Sequence, residues 1–229
     1  MQYYVTVFPG IESIAAQELQ ERFGIETGVP VTGRNNVLVP FATKIEVEEL
    51  MKLGTTEDLF IPLGDHDFTG GRHELKTLPE ALKETGMLDT ALAYHRKTRP
   101  ASKGKTTFRV VAQAIHDPKE YRRVDLQEAL EDAIRTRYHK RWECVEDDAM
   151  IEIWVHLTKD RAIFGLRLSD ERMRHREYKS EHLPASLRPT LAYAMAWLSK
   201  IEPTDVFLDP MCGSGTMLIE RARAGRYQQ

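Results

Sequence analysis

The stretch Val206-Phe207-Leu208-Asp209-Pro210-Met211-Cys212-Gly213-Ser214-Gly215-Thr216 decides how the chain reads. An apolar run leads into an acid and then a Gly-Ser-Gly loop, and Met217-Leu218-Ile219-Glu220-Arg221-Ala222 behind it has the residues of a helix. This order predicts a buried parallel strand, a tight glycine turn and a helix N-terminus, an arrangement that holds small polar ligands at the carboxyl end of a strand. Gly213 and Gly215 can take backbone angles closed to other residues and, lacking Cβ, let a ligand come close. The loop is not a Walker A loop, because no Lys follows in the required place. Nor is it the dinucleotide Gly-x-Gly-x-x-Gly, since Leu218 stands at the third position.

The 229 residues have room for one large domain or two smaller ones. No apolar run approaches the roughly 20 residues that span a membrane. The start, Met1-Gln2-Tyr3-Tyr4-Val5, lacks the basic opening of a signal peptide. Cys144 and Cys212 are the two cysteines, which suits a reducing cytoplasm and gives no metal-ligand spacing. Asp65, His66, Asp67 and His73 are too irregularly spaced for a metal site and read as a polar loop. No base is placed to activate Cys212 as a nucleophile, so it reads as a small loop residue. Net charge is −3, but it is unevenly spread: up to Thr90 there are 7 Lys+Arg against 15 Asp+Glu (−8), and from Ala91 onward 25 against 20 (+5). A polyanion would meet the second part.

In chain order, Tyr3–Phe8 reads as a strand, and Ile11 to Phe23 as a helix closed by Gly24. Val29–Thr32 and Val37–Phe41 read as two strands. Thr43-Lys44-Ile45-Glu46 has the capping-box pattern of a helix running through Leu53. Leu59–Leu63 predicts a short strand that Pro62 confines to a sheet edge, and 64–76 a loop. Leu78–Tyr94 has helical spacing broken at Gly86. Thr106–Ala114 reads as a strand, Asp117-Pro118 opens a longer helix, and Ala149–Leu157 with Arg161–Leu168 form a strand pair. The polar connector Ser169–Lys179 reads as a linker. These elements predict an α/β (α+β) chain divided into 1–54, 55–170, a linker over 171–183, and 184–229.

The Asp209–Thr216 string closely resembles motif I of the class I S-adenosylmethionine-dependent methyltransferases. More narrowly, the chain resembles tRNA guanine-N2 methyltransferase-like RNA methylases that carry a THUMP domain. Pro184-Ala185-Ser186-Leu187-Arg188-Pro189-Thr190 is similar to the segment these enzymes place before motif I. Phe108-Arg109-Val110 is similar to the THUMP strand signature, and Val7-Phe8-Pro9-Gly10-Ile11-Glu12 to the opening of the ferredoxin-like domain that precedes it. The resemblance implies a ferredoxin-like domain, a THUMP domain and the start of a Rossmann-like methyltransferase domain. It implies S-adenosylmethionine as cofactor, seated by Asp209, Met211, Cys212, Gly213, Gly215 and Thr216, with Pro184, Ala185, Ser186 and Leu187 alongside. Asp209 would accept from the cofactor's amino group or a bridging water, and the helix N-terminus would meet its carboxylate. The partner implied is tRNA, with no membrane and no metal. Arg96, Lys97, Arg99, Lys103, Lys105, Arg109, Arg122, Arg123, Arg174 and Lys179 are the candidate RNA contacts.

These methylases also carry an Asp/Asn-Pro-Pro-Tyr/Phe signature that grips the amine to be methylated, and no such string occurs here. The expectation is therefore a C-terminally truncated portion of a longer enzyme that forms N2-methylguanosine in tRNA. It has no catalytic residue of its own and is inactive alone. A DNA amino-methyltransferase fragment uses a similar loop and is the first alternative. A non-catalytic RNA-binding adaptor is the second.

Overall fold

Residues Thr56–Asp67 form one twelve-residue strand that joins the two halves of a single mixed α/β architecture. The computed structural model describes residues 1–99, 104–139, 141–179, 186–202 and 204–225. In order these form β1 (Gln2–Val7), α1 (Glu12–Phe23), β2 (Val31–Thr32), β3 (Val37–Ala42), α2 (Val47–Leu50), β4 (Thr56–Asp67), α3 (Glu74–Glu84) and α4 (Met87–Thr98). There follow β5 (Thr107–Ala114), α5 (Arg123–Arg137), β6 (Glu143–Cys144), β7 (Ile151–Leu157), β8 (Arg161–Arg167), α6 (Glu171–His175), α7 (Pro189–Leu198) and α8 (Thr216–Ala224). The strands make one eight-stranded sheet in the order β2-β3-β1-β4-β8-β7-β5-β6. The main apolar core takes one residue in two from the strands, including Leu59, Ile61, Phe108, Val110, Ile153 and Val155, and joins them to Leu19 of α1, Leu82 of α3, Leu88 of α4 and Leu126 of α5.

Several elements depart from the sequence reading. β4 is not a short edge strand: it pairs with β8 as far as Asp67↔Arg161, and with β1 as far as Tyr4↔Phe60. Pro62 stands beyond that last β1 pair, on a side locally open as an edge is, where the N–H that proline lacks is not demanded. The β4–β8 register shifts between Pro62 and Gly64. The same strand continues to Asp67, through residues expected to be a loop. The Thr43 capping box does not form: the Thr43 hydroxyl accepts from the Ile45 N–H at 3.1 Å, and only the single turn Val47–Leu50 is helical. Helix α5 starts at Arg123, after Asp117-Pro118, with Asp125 accepting from the Arg122 N–H at 2.9 Å. Val206–Leu208 is not a strand. Among the described residues it has no neighbour to pair with, and Val206 is 97% exposed.

The second face of the sheet carries Tyr4, Phe60, Trp154 and His156. Tyr4 stacks on Phe60 with centroids 4.8 Å apart. The sheet curls over this row, because Asn36 at the start of β3 donates to Gln113 of β5 at 3.5 Å although five strand junctions separate them. Beside the aromatic row lies a ladder of alternating charge across four adjacent strands. Asp58 of β4 pairs with Arg167 of β8 at 2.7 Å, Arg167 with Glu152 of β7 at 2.9 Å, and Glu152 with Arg109 of β5 at 3.0 Å. Each buried charge has an opposite neighbour, which is the condition for tolerating it. Burial raises the Glu152 pKa, but the Arg167 charge and the hydrogen bonds outweigh it and hold the carboxyl below the usual range.

Two buried histidines give the fold a pH dependence. Burial holds His156 down to about 4, and burial with the Arg99 charge holds His95 to about 4. The unfolded chain takes up these protons below about 6.5, the folded protein only near 4. Their contribution is therefore complete above about 6.5 and is lost as pH falls from there toward 4. Urea denaturation between about pH 7 and 5 should show stability falling with pH, and His156→Phe should flatten the slope by about one proton.

Candidate functional site

The Asp209–Thr216 loop is shaped by its two glycines. Gly213 has φ 52° and Gly215 φ 73°, and the Gly215 N–H donates to the Cys212 carbonyl at 2.8 Å. These left-handed values favour residues without Cβ. Open space surrounds the Cβ position of both. The loop ends in α8, where the Gly215 carbonyl accepts the Ile219 N–H at 3.0 Å. The Asp209 carboxylate accepts the Met211 N–H at 3.0 Å. The Ser214 hydroxyl lies 3.2 Å from those of Ser186 and Thr216, which ties the loop to the segment before α7. Between them is a cavity of about 360 Å³.

Of the residues expected to hold a cofactor, the structure brings Ser186, Leu187, Asp209, Met211, Cys212, Gly213 and Thr216 around this cavity. Gly215 sits at the turn into α8. Pro184 and Ala185 lie outside the described residues. Met195 and Met217 also line the cavity and were not singled out from the sequence. Cys212 is an exposed free thiol.

Anchors hold this region to the sheet. Arg176 is buried with φ 58°, a backbone region that strains a side-chain-bearing residue. Its guanidinium donates to the Gly54 carbonyl at 2.7 Å and to the Met173 carbonyl, and pairs with Glu220 of α8 at 3.4 Å. The Tyr178 hydroxyl donates to Glu220 at 2.6 Å. Helix α7 lies against Gly54, where a Cβ would stand 2.3 Å from the Tyr193 ring. The Gly54–Thr55 corner is itself held by Glu18 of α1, which accepts from both N–H groups at 2.8 and 3.0 Å and from the Thr55 hydroxyl at 2.7 Å. Arg188 pairs with Glu57 at 3.2 Å. The connector read as a linker is thus packed, with Met173 and Arg176 buried.

The basic residues divide into two groups. Arg96, Lys97 and Lys105 are exposed, with the Lys97 ammonium over the Tyr94 ring at 5.0 Å, and Arg122 is exposed while paired with Asp125 at 2.6 Å. The others have internal partners. Arg99 donates to the Ser169 and Met150 carbonyls, Arg109 to Glu152 and Glu146, Arg123 to the Ala112 carbonyl at 3.1 Å, Arg174 to Asp58, and Lys179 to the Leu187 carbonyl at 2.9 Å. Lys103 lies outside the described residues. Among the described residues no helix is long and apolar enough to cross a membrane, and no group of three His, Cys, Asp or Glu could hold a metal ion.

Comparison with known proteins gives the class. Residues 88–167 match the THUMP domain, and residues 176–229 match the RMKL-like methyltransferase domain. The chain carries a THUMP domain followed by residues of a methyltransferase domain, as the sequence resemblance implied. It is 34% identical over 82 residues to the tRNA (guanine(6)-N(2))-methyltransferase THUMP3 of Bos taurus, an alignment covering 36% of this chain and 16% of that protein. It is 35% identical over 103 residues to the ribosomal RNA large subunit methyltransferase K/L of Vibrio cholerae, covering 45% and 14%. The matched residues therefore span about a sixth or less of these relatives. The fold is similar to that of SMU.472, solved in complex with SAH (TM-score 0.64, 19% identity, 96% of this chain and 54% of that one).

S-adenosylmethionine is the cofactor of this class, and the residues present fit it. Two left-handed glycines open to free space, an acid and hydroxyls at the rim, and a helix N-terminus beside the cavity suit a ligand carrying both a carboxylate and an amine. Arg176→Ala would leave Glu220 buried without this cation and the Gly54 carbonyl without its donor. The expected loss is about 3 kcal/mol in urea unfolding, and Arg176→Lys should recover little of it because one ammonium cannot reach both carbonyls and Glu220 together.

Proposed function

We propose that this chain is the RNA-holding and methyl-donor-seating part of an RNA methyltransferase. The observation that carries the reading is the packing of the motif-I loop, through Arg176 and Glu220, onto a body that contains the THUMP domain. Bound S-adenosylmethionine supplies an electrophilic methyl group. Gly213 and Gly215 admit its amino-acid end to the backbone, the start of α8 offers N–H groups to its carboxylate, and Asp209 accepts from its amine. Ser186, Leu187, Met211, Cys212 and Thr216 complete the walls of the cavity. The domain division proposed is 1–54, 55–170 and 184–229, with the sheet continuous across the first boundary.

On the RNA side, Arg96, Lys97 and Lys105 are proposed to meet phosphates directly, because their charges are exposed. Arg99, Arg109, Arg123 and Arg174 shape the surface from within. The substrate proposed is tRNA and the product N2-methylguanosine, supported by the similarity to the Bos taurus enzyme. The similarity to the Vibrio cholerae enzyme favours ribosomal RNA as the second reading. With no Asp/Asn-Pro-Pro-Tyr/Phe string among its 229 residues, the chain is proposed to bind both ligands without turning them over.

Calorimetry and filter binding test this. Gly213→Val should abolish S-adenosylmethionine binding and leave RNA binding unchanged. Reversing Arg96, Lys97 and Lys105 to Glu should weaken RNA binding by about tenfold or more at low salt and reduce its salt dependence, at unchanged cofactor affinity. Tighter binding of duplex DNA than of tRNA or ribosomal RNA fragments would sink the RNA reading.

A further inference from the structure

One acid interrupts the pairing of β1 with β4. Thr6 pairs with Asp58 and Val7 with Thr56, so Glu57 has no residue opposite it on β1. An extra residue on one strand of an antiparallel pair is a bulge, and bulges re-aim side chains. Here the extra residue is a carboxylate. Glu57 is buried, and the Arg188 guanidinium, 3.2 Å away, is its one cationic partner among the described residues. The same guanidinium stands 5.2 Å over the ring of Phe8, the residue after β1. Arg188 is thus gripped from both strands of the bulge. Burying a carboxylate costs free energy unless it is paired. That cost holds Arg188 in place although its side chain is 58% exposed.

The segment that Arg188 anchors ends at the motif-I loop. Arg188 is the N-cap residue of α7, and Pro189 opens that helix with a fixed φ. The two residues before it, Ser186 and Leu187, line the cavity beside the loop. The Ser186 hydroxyl lies 3.2 Å from that of Ser214, and the Leu187 carbonyl accepts the Lys179 ammonium at 2.9 Å. A short path therefore runs from the bulge to the loop, Glu57 to Arg188 by an ion pair and Ser186 to Ser214 by a hydrogen bond. The next residue of β4, Asp58, holds Arg167 and Arg174. Successive positions of one strand thus grip the cavity wall and the charge ladder.

We propose that Arg188 is a positioning residue for the methyl-donor site: its pair with the bulged Glu57 sets where Ser186 and Leu187 stand against the motif-I loop. Arg188 does not itself line the cavity and acts through these two neighbours. The inference rests on the reading of that cavity as the S-adenosylmethionine site.

Amide NMR of the full chain without ligand, and calorimetric titration with S-adenosylmethionine, test the two readings separately. Arg188→Gln leaves Glu57 buried without its cation, so the double variant Glu57→Gln/Arg188→Gln, with no charge left to bury, is the decisive one. It should stay folded, shift the Ser214 and Thr216 amide resonances before any ligand is added, and weaken S-adenosylmethionine binding by about tenfold. Glu57→Gln alone leaves Arg188 in solvent and should weaken binding as much, because either change breaks the same pair. Arg188→Lys keeps the charge and should restore most of the affinity. A role in stability alone would move the unfolding midpoint and leave the Ser214 and Thr216 resonances in place. Shifts confined to Phe8, Glu57 and the start of α7, or additive effects of the two single substitutions, would overturn the proposal. Wild-type binding that the variants do not weaken would remove the positioning role and leave the cofactor reading standing. A wild-type chain that bound no S-adenosylmethionine would sink the cofactor reading, and the amide shifts would still decide whether the pair sets the loop.

Discussion

A buried guanidinium joins the two parts of this protein. Arg176 sits in a positive-φ backbone conformation that costs free energy; its side chain donates to the Gly54 carbonyl before β4 and the Met173 carbonyl in α6, and pairs with Glu220 in α8. Burial lowers its pKa, with the Glu220 charge opposing that shift. Removing any one of these contacts leaves a buried cation short of compensation. The strained backbone persists because the surroundings over-determine it. The position of the motif-I loop relative to the sheet thus rests on a polar cluster of Glu18, Gly54, Thr55, Arg176, Tyr178 and Glu220.

The same logic recurs in the sheet. The ladder Asp58–Arg167–Glu152–Arg109 crosses four adjacent strands, all of them within the expected second domain, 55–170. Ser169 and Arg174 extend it into the segment leading to α6. Basic residues that the sequence offers as RNA contacts are in part the cations of this internal network. Of the basic candidates, Arg96, Lys97, Lys105 and Arg122 are exposed, with Arg122 paired to Asp125.

Local pattern made much of the fold legible. The alternation in β5 appears as strictly alternating burial over Thr107–Ala114, and the β7–β8 pair lies where the two alternating runs predicted it. Gly24 closes α1 in the left-handed conformation. The failures are equally physical. Pro62 and Gly64 look like the end of a strand, and the bulge that carries β4 past them depends on β8, about 100 residues away in sequence. Val206–Leu208 has strand composition, but composition cannot supply a neighbouring strand. The motif-I residues were legible because their spacing is local. The Glu18–Gly54 and Arg176–Glu220 contacts were not, because they join segments 36 and 44 residues apart that carry no shared pattern.

The central claim is that α7 and α8 are a cooperative extension of the sheet-bearing body, so that the motif-I loop is held in fixed relation to the THUMP-bearing sheet. Native-state hydrogen exchange resolved to single amides measures this directly. The account predicts that the amides of Ala192 to Ala196 in α7 exchange with the same free energy as those of β4 and β8, and that Arg176→Ala lowers α7 most. Rapid exchange throughout α7 and α8 beside a fully protected sheet would contradict it.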